Sequence, residues 1–506
     1  GLMIQPRGRS YEGIIQTKNM VLNAYNFETK YNGYYSVRLG EGIDPKLLLM
    51  DACSFQPVDG IMVESSMEPI KARDTDRWLV LKESDKLAPN YFTTSDFKNY
   101  KQITHFAPQK NYNWYTKELH RYKGLDGTLC EGVLIKPENF DLKRKYPVVI
   151  IFYNKFANNL YTFPGPDYNR TSVMFGFKPG WLESHGYLVF LPNMYETSLR
   201  VGPGALNTIE GAINYLKNLP FVDDNAIAGC AHSASAKMGS YVFTHSNSLA
   251  AMAISEGAAF ANPINLVLSN YDDDGAIGLA GGESLHGNLW QNKAVWIDHT
   301  TVLNVDTVAS PLLLFAGRKD PPSRIDQTFQ LFTALRRLEK KTWWLEYDLG
   351  AHNVDWYEAM DYTIRFTQYF DHDLKHAPAP RWMTQGLPFA LKGVESRLEL
   401  DAAGSCALVP QFPKIKTKDS MAQYKNSHCY VCEAWNKQYN RNPSLFEKEI
   451  KNWKLDKDIE AEMDRKLTDE RTRLDREQKV RDREIVNILT YGYQKDNKRR
   501  KNRIGE

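Results

Sequence analysis

Ala226-Ile227-Ala228-Gly229-Cys230-Ala231, followed at once by His232-Ser233-Ala234-Ser235, is the stretch on which the reading of this chain turns. Its first six residues are small and apolar, as expected of a short strand buried among neighbours, and Met238 to Thr244 begins a helix. Between the two lies a small-x-Ser-x-small turn, Ala231 to Ser235. At a sharp strand-to-helix corner this pattern lifts one serine hydroxyl clear of the backbone.

The flanking sequence repeats the same grammar. Tyr146-Pro147-Val148-Val149-Ile150-Ile151-Phe152-Tyr153 is a continuous apolar strand suited to burial on both faces, and Gly186 to Leu191 is the next strand. Residues 204–218 place Ile209, Ala212, Ile213 and Leu216 on one helical face. Pro311 to Ala316 reads as a buried strand, Ile325 to Leu338 as a helix, Trp343 to Tyr347 as the last strand, and Trp356 to Asp371 as a closing helix. Strands alternating with helices predict a mostly parallel sheet covered on both sides over residues 120–385, opened by a hairpin at Asp126-Gly127.

Acyl transfer at neutral pH needs a nucleophile, a base to take its proton, and an acid to orient that base. Ser233 stands at the strand-to-helix corner, Asp320 follows the strand that ends near Gly317, and His352 follows the last strand in Leu349-Gly350-Ala351-His352-Asn353. The order Ser, Asp, His along the chain is that of an α/β-hydrolase. A lone serine in a turn is usually a cap and a lone histidine usually structural, so the weight rests on three such residues at three strand ends. Asp320 is preferred over Asp306 and Asp326 because it lies just beyond a buried strand. Ser235, one step into the helix, is expected to cap backbone N–H groups rather than to attack substrate.

Residues from about 115 to 385 also resemble the catalytic domain of the prolyl oligopeptidase family of serine peptidases. The likeness is greatest to its dipeptidyl peptidase IV-like and acylaminoacyl peptidase-like members from Bacteroidota. The matching stretches are Lys145-Tyr146-Pro147 with Tyr153, Phe221-Val222-Asp223, His232-Ser233, Phe332 to Leu338, Gln368 to His372 and Ala377 to Met383. Ser95 to Thr104 is similar to the last propeller blade of such peptidases. The resemblance implies hydrolysis of short peptides by Ser233, Asp320 and His352, without metal or organic cofactor. It further implies an oxyanion hole made by the Tyr153 hydroxyl and the Ala234 N–H. Relatives usually carry glycine where this chain has Ala231, Ser235 and Ala236, and a short polar turn where it has Pro321-Pro322-Ser323-Arg324. Two alternatives therefore stay open: a hydrolase-like scaffold with impaired turnover, and an esterase using the same triad.

Residues 1–119 read as short strands separated by turns, with a hairpin expected at Asn32-Gly33, a strand at Arg77 to Lys82 and another at Tyr91 to Thr94. That length supplies about two four-stranded blades, whereas a closed propeller needs at least four. The expectation is a partial β-propeller, with the chain beginning inside a larger one, its sheet edges left open to association or to longer peptides. Residues 386–506 read as a linker (Pro410 to Lys418) and a charged helical extension. Leu445 to Leu489 carries a thin apolar stripe (Phe446, Ile450, Trp453, Met463, Leu467, Leu474), suited to docking on a partner, a second copy or the hydrolase region; a solvated helix fits equally.

Composition sets the outer limits. The chain has 506 residues, 42% hydrophobic, and a formal net charge of +3 from 64 basic and 61 acidic side chains. So balanced a field draws neither nucleic acid nor an anionic membrane surface. No apolar run approaches the ~18 residues that span a bilayer. The start, Gly1 to Arg7, has no signal-peptide pattern, which leaves localisation unassigned; a periplasmic or secreted protein is what the resemblance implies if the beginning is missing. The six cysteines are scattered. Cys429-x-x-Cys432 beside His428 offers only half a zinc site, so no metal is expected.

Overall fold

The computed structural model describes residues 19–38, 44–55, 69–111, 114–153, 155–163, 179–194, 201–255, 261–268, 288–320, 325–354, 356–388, 391–392 and 395–401. The expected extension helix, the Cys429/Cys432 pair with His428, and Pro321 to Arg324 lie outside these residues.

Eight strands form the central mixed sheet: β8 (Thr116–Lys123), β9 (Leu129–Lys136), β10 (Tyr146–Phe152), β11 (Leu188–Pro192), β12 (Val222–His232), β13 (Ala251–Ser255), β14 (Leu312–Gly317) and β15 (Thr342–Tyr347). Their order across the sheet is β15-β14-β13-β12-β10-β11-β9-β8. All neighbours from β11 to β15 run parallel, while β9 is antiparallel to both β8 and β11. Gly127, at φ 82°, turns the β8–β9 hairpin where Asp126-Gly127 was expected.

Alternation along β10 shows why the sheet is covered twice. Val148, Ile150 and Phe152 enter one apolar cluster, with Ile209, Ile213 and Leu216 of the helix Val201–Lys217 and Val242 of the helix Ala236–His245. Val149 and Ile151 enter the other, with Tyr362, Phe366 and Phe370 of the helix Trp356–Lys375. All five β10 residues are buried, each contributing roughly 1.5–3 kcal/mol by leaving water. The helix at Val201 starts three residues earlier than its apolar face suggested. Gly202-Pro203-Gly204 occupies its first turn, where proline forfeits no helical hydrogen bond.

Upstream lie two smaller antiparallel sheets. One holds β1 (Asn19–Tyr25), β2 (Asn32–Arg38) and β3 (Lys46–Asp51); the other holds β4 (Ile70–Lys71), β5 (Trp78–Lys82), β6 (Asn90–Thr94) and β7 (Lys101–Gln102). The hairpin predicted at Asn32-Gly33 is corrected, since both residues lie within β2. The chain turns earlier, over Asn26 to Tyr31, where the Asn26 side-chain oxygen accepts the N–H groups of Glu28 and Thr29, and Lys30 adopts φ 65°. Gly33 serves close approach instead: a Cβ there would sit 1.9 Å from the Leu49 carbonyl oxygen of β3.

Tyr369 ties the helix Trp356–Lys375 to the sheet. Fully buried, its hydroxyl lies 3.0 Å from the Met252 carbonyl and 2.8 Å from that of Pro311. We expect Tyr369→Phe to lower unfolding free energy by about 1–2 kcal/mol, seen as a shifted urea midpoint with unchanged slope.

Candidate active site

Strand β12 ends at His232, a single 3₁₀ turn covers Ser233–Ser235, and the helix Ala236–His245 follows. Ser233 sits at φ 52°, a left-handed backbone that a non-glycine residue adopts only when its surroundings enforce it. Ser235 supplies part of that enforcement. Buried beneath the corner, its Oγ accepts the His232 N–H at 3.0 Å and donates to the His232 carbonyl at 2.8 Å. Its hydroxyl is thus committed to the His232 backbone before it, and it makes no capping bond to the N–H groups of the helix it opens, where such a bond was expected. Packing supplies the rest: a Cβ on Gly239 would lie 2.4 Å from the Cβ of Ala231, so the helix rests directly against the strand. The methyl at Ala231 is accommodated by the missing side chain at Gly239 in that helix.

The serine, acid and base predicted from sequence converge. Ser233 Oγ lies 2.5 Å from His352 Nε2, and His352 Nδ1 lies 2.8 Å from Asp320 Oδ2. With Nδ1–H donating to the carboxylate, Nε2 is left to accept the serine proton. Asp320 is 6% exposed, whereas the His352 side chain is 37% exposed and open to substrate.

Two glycines bring the acid and base loops together. A Cβ on Gly317, at the end of β14, would lie 2.5 Å from the Gly350 carbonyl carbon and the Ala351 carbonyl oxygen; Gly350 has similarly little room against the Gly317 Cα at 3.2 Å. Backbone bonds from Arg318 N–H to the Tyr347 carbonyl and from Lys319 N–H to the Gly350 carbonyl, each 2.8 Å, zip the loops.

Tyr153 follows β10 directly, and its phenol is hydrogen-bonded to Ser233. Burial raises its pKa above the ordinary tyrosine value, opposed in part by the serine, so it stays protonated and able to donate. Ala234, the other expected oxyanion donor, is exposed at the first step past the serine.

His232 was legible only as part of a matching dipeptide, and its setting is new. It is 3% exposed, its ring centroid lies 5.4 Å from that of His352, and Nδ1 is 3.0 Å from Ser255 Oγ at the end of β13. Burial, then the neighbouring His352, depresses its pKa to about 3 from the ordinary 6.5, so the ring is neutral. Among the described residues no group of three His, Cys, Asp or Glu could hold a metal ion, and no helix is long and apolar enough to cross a membrane.

Two outcomes follow from these contacts. Gly317→Ala should destabilise the fold by about 1–3 kcal/mol, because the added methyl meets backbone rather than a movable side chain; an unshifted thermal midpoint would contradict it. His232 binds a proton in the unfolded chain below pH 6.5 but not in the folded one until about pH 3. Its contribution to stability is therefore lost as pH falls through that window, by at most about 1.4 kcal/mol per pH unit. Urea titrations near pH 7 and pH 5 should show a smaller acid loss for His232→Gln than for the unsubstituted chain.

Against known proteins, no family model matches the chain and no curated protein sequence matches it. Solved structures do. AtxE2 isopeptidase superposes with a TM-score of 0.54 at 16% identity, covering 72% of this chain and 55% of its own. Dipeptidyl peptidase 4 of Porphyromonas gingivalis gives 0.52 at 13%, covering 72% and 49%. Oligopeptidase B of Leishmania major gives 0.52 at 10%, covering 71% and 51%. The chain spans about half the length of these structures. Identities this low speak to architecture. The eight-stranded sheet and its strand order thus give the chain the architecture that these solved peptidase structures have over the matched region.

Proposed function

We propose that the chain is a serine peptidase that cleaves short peptides through an acyl-enzyme. The observation that carries this reading is the unbroken hydrogen-bonded line from Ser233 Oγ through His352 to buried Asp320, with Ser233 raised on a left-handed corner. Peptidase structures of the same fold support it.

In the reaction, His352 Nε2 takes the hydroxyl proton while Ser233 Oγ bonds to the scissile carbonyl carbon. The resulting oxyanion accepts hydrogen bonds from the Tyr153 hydroxyl and the Ala234 N–H, donors each worth about 10²–10³ in rate. Asp320 stays ionised and stabilises the imidazolium. The imidazolium then gives its proton to the leaving nitrogen as the C–N bond breaks. Water, deprotonated by the same ring, releases the acyl group and restores Ser233. The steps use these side chains, the Ala234 N–H and one water molecule.

An esterase would use the same atoms. What favours peptide cleavage is the fold, shared with solved peptidase structures; an oxyanion donor such as Tyr153 would serve either reaction. The impaired-scaffold reading rested on the non-glycine corner and on the incomplete propeller, and the geometry here bears on the first. The left-handed serine, the Ser235 cap and the Ala231–Gly239 contact support a corner that forms without those glycines.

Two measurements test the proposal. Ser233→Ala should abolish turnover of dipeptidyl and acyl-aminoacyl chromogenic amides; ester turnover without amide turnover in the unsubstituted protein would favour the esterase. Asp320→Asn should lower kcat by about 10⁴ at unchanged stability, because the wrong imidazole tautomer is then favoured. Normal turnover in that variant would remove Asp320 from the triad.

A further inference from the structure

The described residues after Tyr153 are fastened at several points by groups remote in sequence. Lys155 pairs with Asn193 in an isolated antiparallel bridge. Two residues on, the Ala157 N–H donates to Asn193 Oδ1 at 2.8 Å. Asn193 is itself held, its Nδ2 donating to Glu131 Oε1 at 2.9 Å and its backbone N–H to the Glu131 carbonyl at 2.8 Å. Glu131 in turn forms an ion pair with Lys30, whose side chain is 2% exposed and comes from the β1–β2 turn. Beyond the bridge, the Tyr25 hydroxyl donates to Asn158 Oδ1 at 3.2 Å, and Lys117 Nζ donates to the Thr162 carbonyl at 2.9 Å.

So dense a set of bonds is unusual for a surface loop that merely connects two elements. A buried lysine in a left-handed turn is also a costly way to close a hairpin. Both features make sense if the segment must be immobile. Tyr153 lies two residues before the Asn193 bridge, and its hydroxyl must meet an oxyanion to within a few tenths of an ångström to be effective.

We propose that Lys30, Glu131 and Asn193 form a positioning relay, running from the first hairpin of the chain to the backbone after Tyr153, that sets the aim of the Tyr153 hydroxyl at Ser233. The relay rests on the reading of Tyr153 as an oxyanion donor. It makes the upstream strands part of the catalytic apparatus: Lys30 neutralises Glu131, Glu131 fixes the Asn193 carboxamide, and Asn193 holds the segment through Lys155 and Ala157. None of the three touches substrate.

The test is a double-mutant cycle on the full chain, read as the rate of fluorophosphonate labelling of Ser233 per folded molecule. Asn193→Ala and Lys30→Met are each measured alone and with Tyr153→Phe. Because Lys30→Met strands a buried carboxylate, the paired Lys30→Met/Glu131→Gln variant is included; its carboxamide oxygen still accepts from Asn193 and no charge is left buried. Tyr153→Phe should slow labelling about 10²-fold and Asn193→Ala about ten-fold, with the combination no slower than Tyr153→Phe alone. The paired variant should label faster than Lys30→Met. Losses that simply multiply, or an unchanged rate in Asn193→Ala, would overturn the relay while leaving the triad intact. Absence of labelling in the unsubstituted protein would overturn the relay together with the reading it rests on.

Discussion

Everything at the site depends on one backbone torsion. Ser233 at φ 52° stands in a conformation that costs a non-glycine residue about 1–3 kcal/mol, and only that torsion turns its hydroxyl out of the sheet towards His352. The compensation is distributed. The Ser235 hydroxyl satisfies both polar groups of the His232 backbone, and Gly239 lets the following helix close on Ala231. Strand β12 lies between β10 and β13, so the corner cannot relax by moving the strand beneath it. Small side chains here are therefore a requirement of geometry, met by Ala231, Ser235 and Gly239.

The same logic governs the acid and base. A carboxylate as buried as that of Asp320 is tolerable because the His352 Nδ1–H meets it and because its loop is bonded to the loop that carries the histidine. That mutual support requires bare backbone at Gly317. His232, held neutral by burial, lies with its ring centroid 5.4 Å from that of His352.

How much of this was legible depends on scale. Long apolar runs such as Tyr146 to Phe152 and Leu312 to Gly317 announced themselves, because burial on both faces leaves no polar alternation to misread. With them came the strand ends, hence Ser233, Asp320 and His352. Strand β13 did not announce itself: Ala251-Met252-Ala253-Ile254-Ser255 is five residues long, with two alanines and no aromatic, and only its place between β12 and β14 makes it a strand. Asn32-Gly33 misled for the opposite reason, a strong local turn signal overruled by the carbonyl of Leu49 passing too close for any side chain. Gly239, Gly317 and the Lys30–Glu131–Asn193 contacts involve partners far apart in the chain. No local pattern encodes them.

The account stands most directly on where the oxyanion is bound. A crystal structure of the protein after reaction with a fluorophosphonate would settle it, since the adduct mimics the tetrahedral intermediate. The account predicts phosphorus bonded to Ser233 Oγ, with its oxygen within hydrogen-bonding distance of both the Tyr153 hydroxyl and the Ala234 N–H. Phosphorus on Ser235 or elsewhere, or an oxygen turned away from Tyr153, would contradict it.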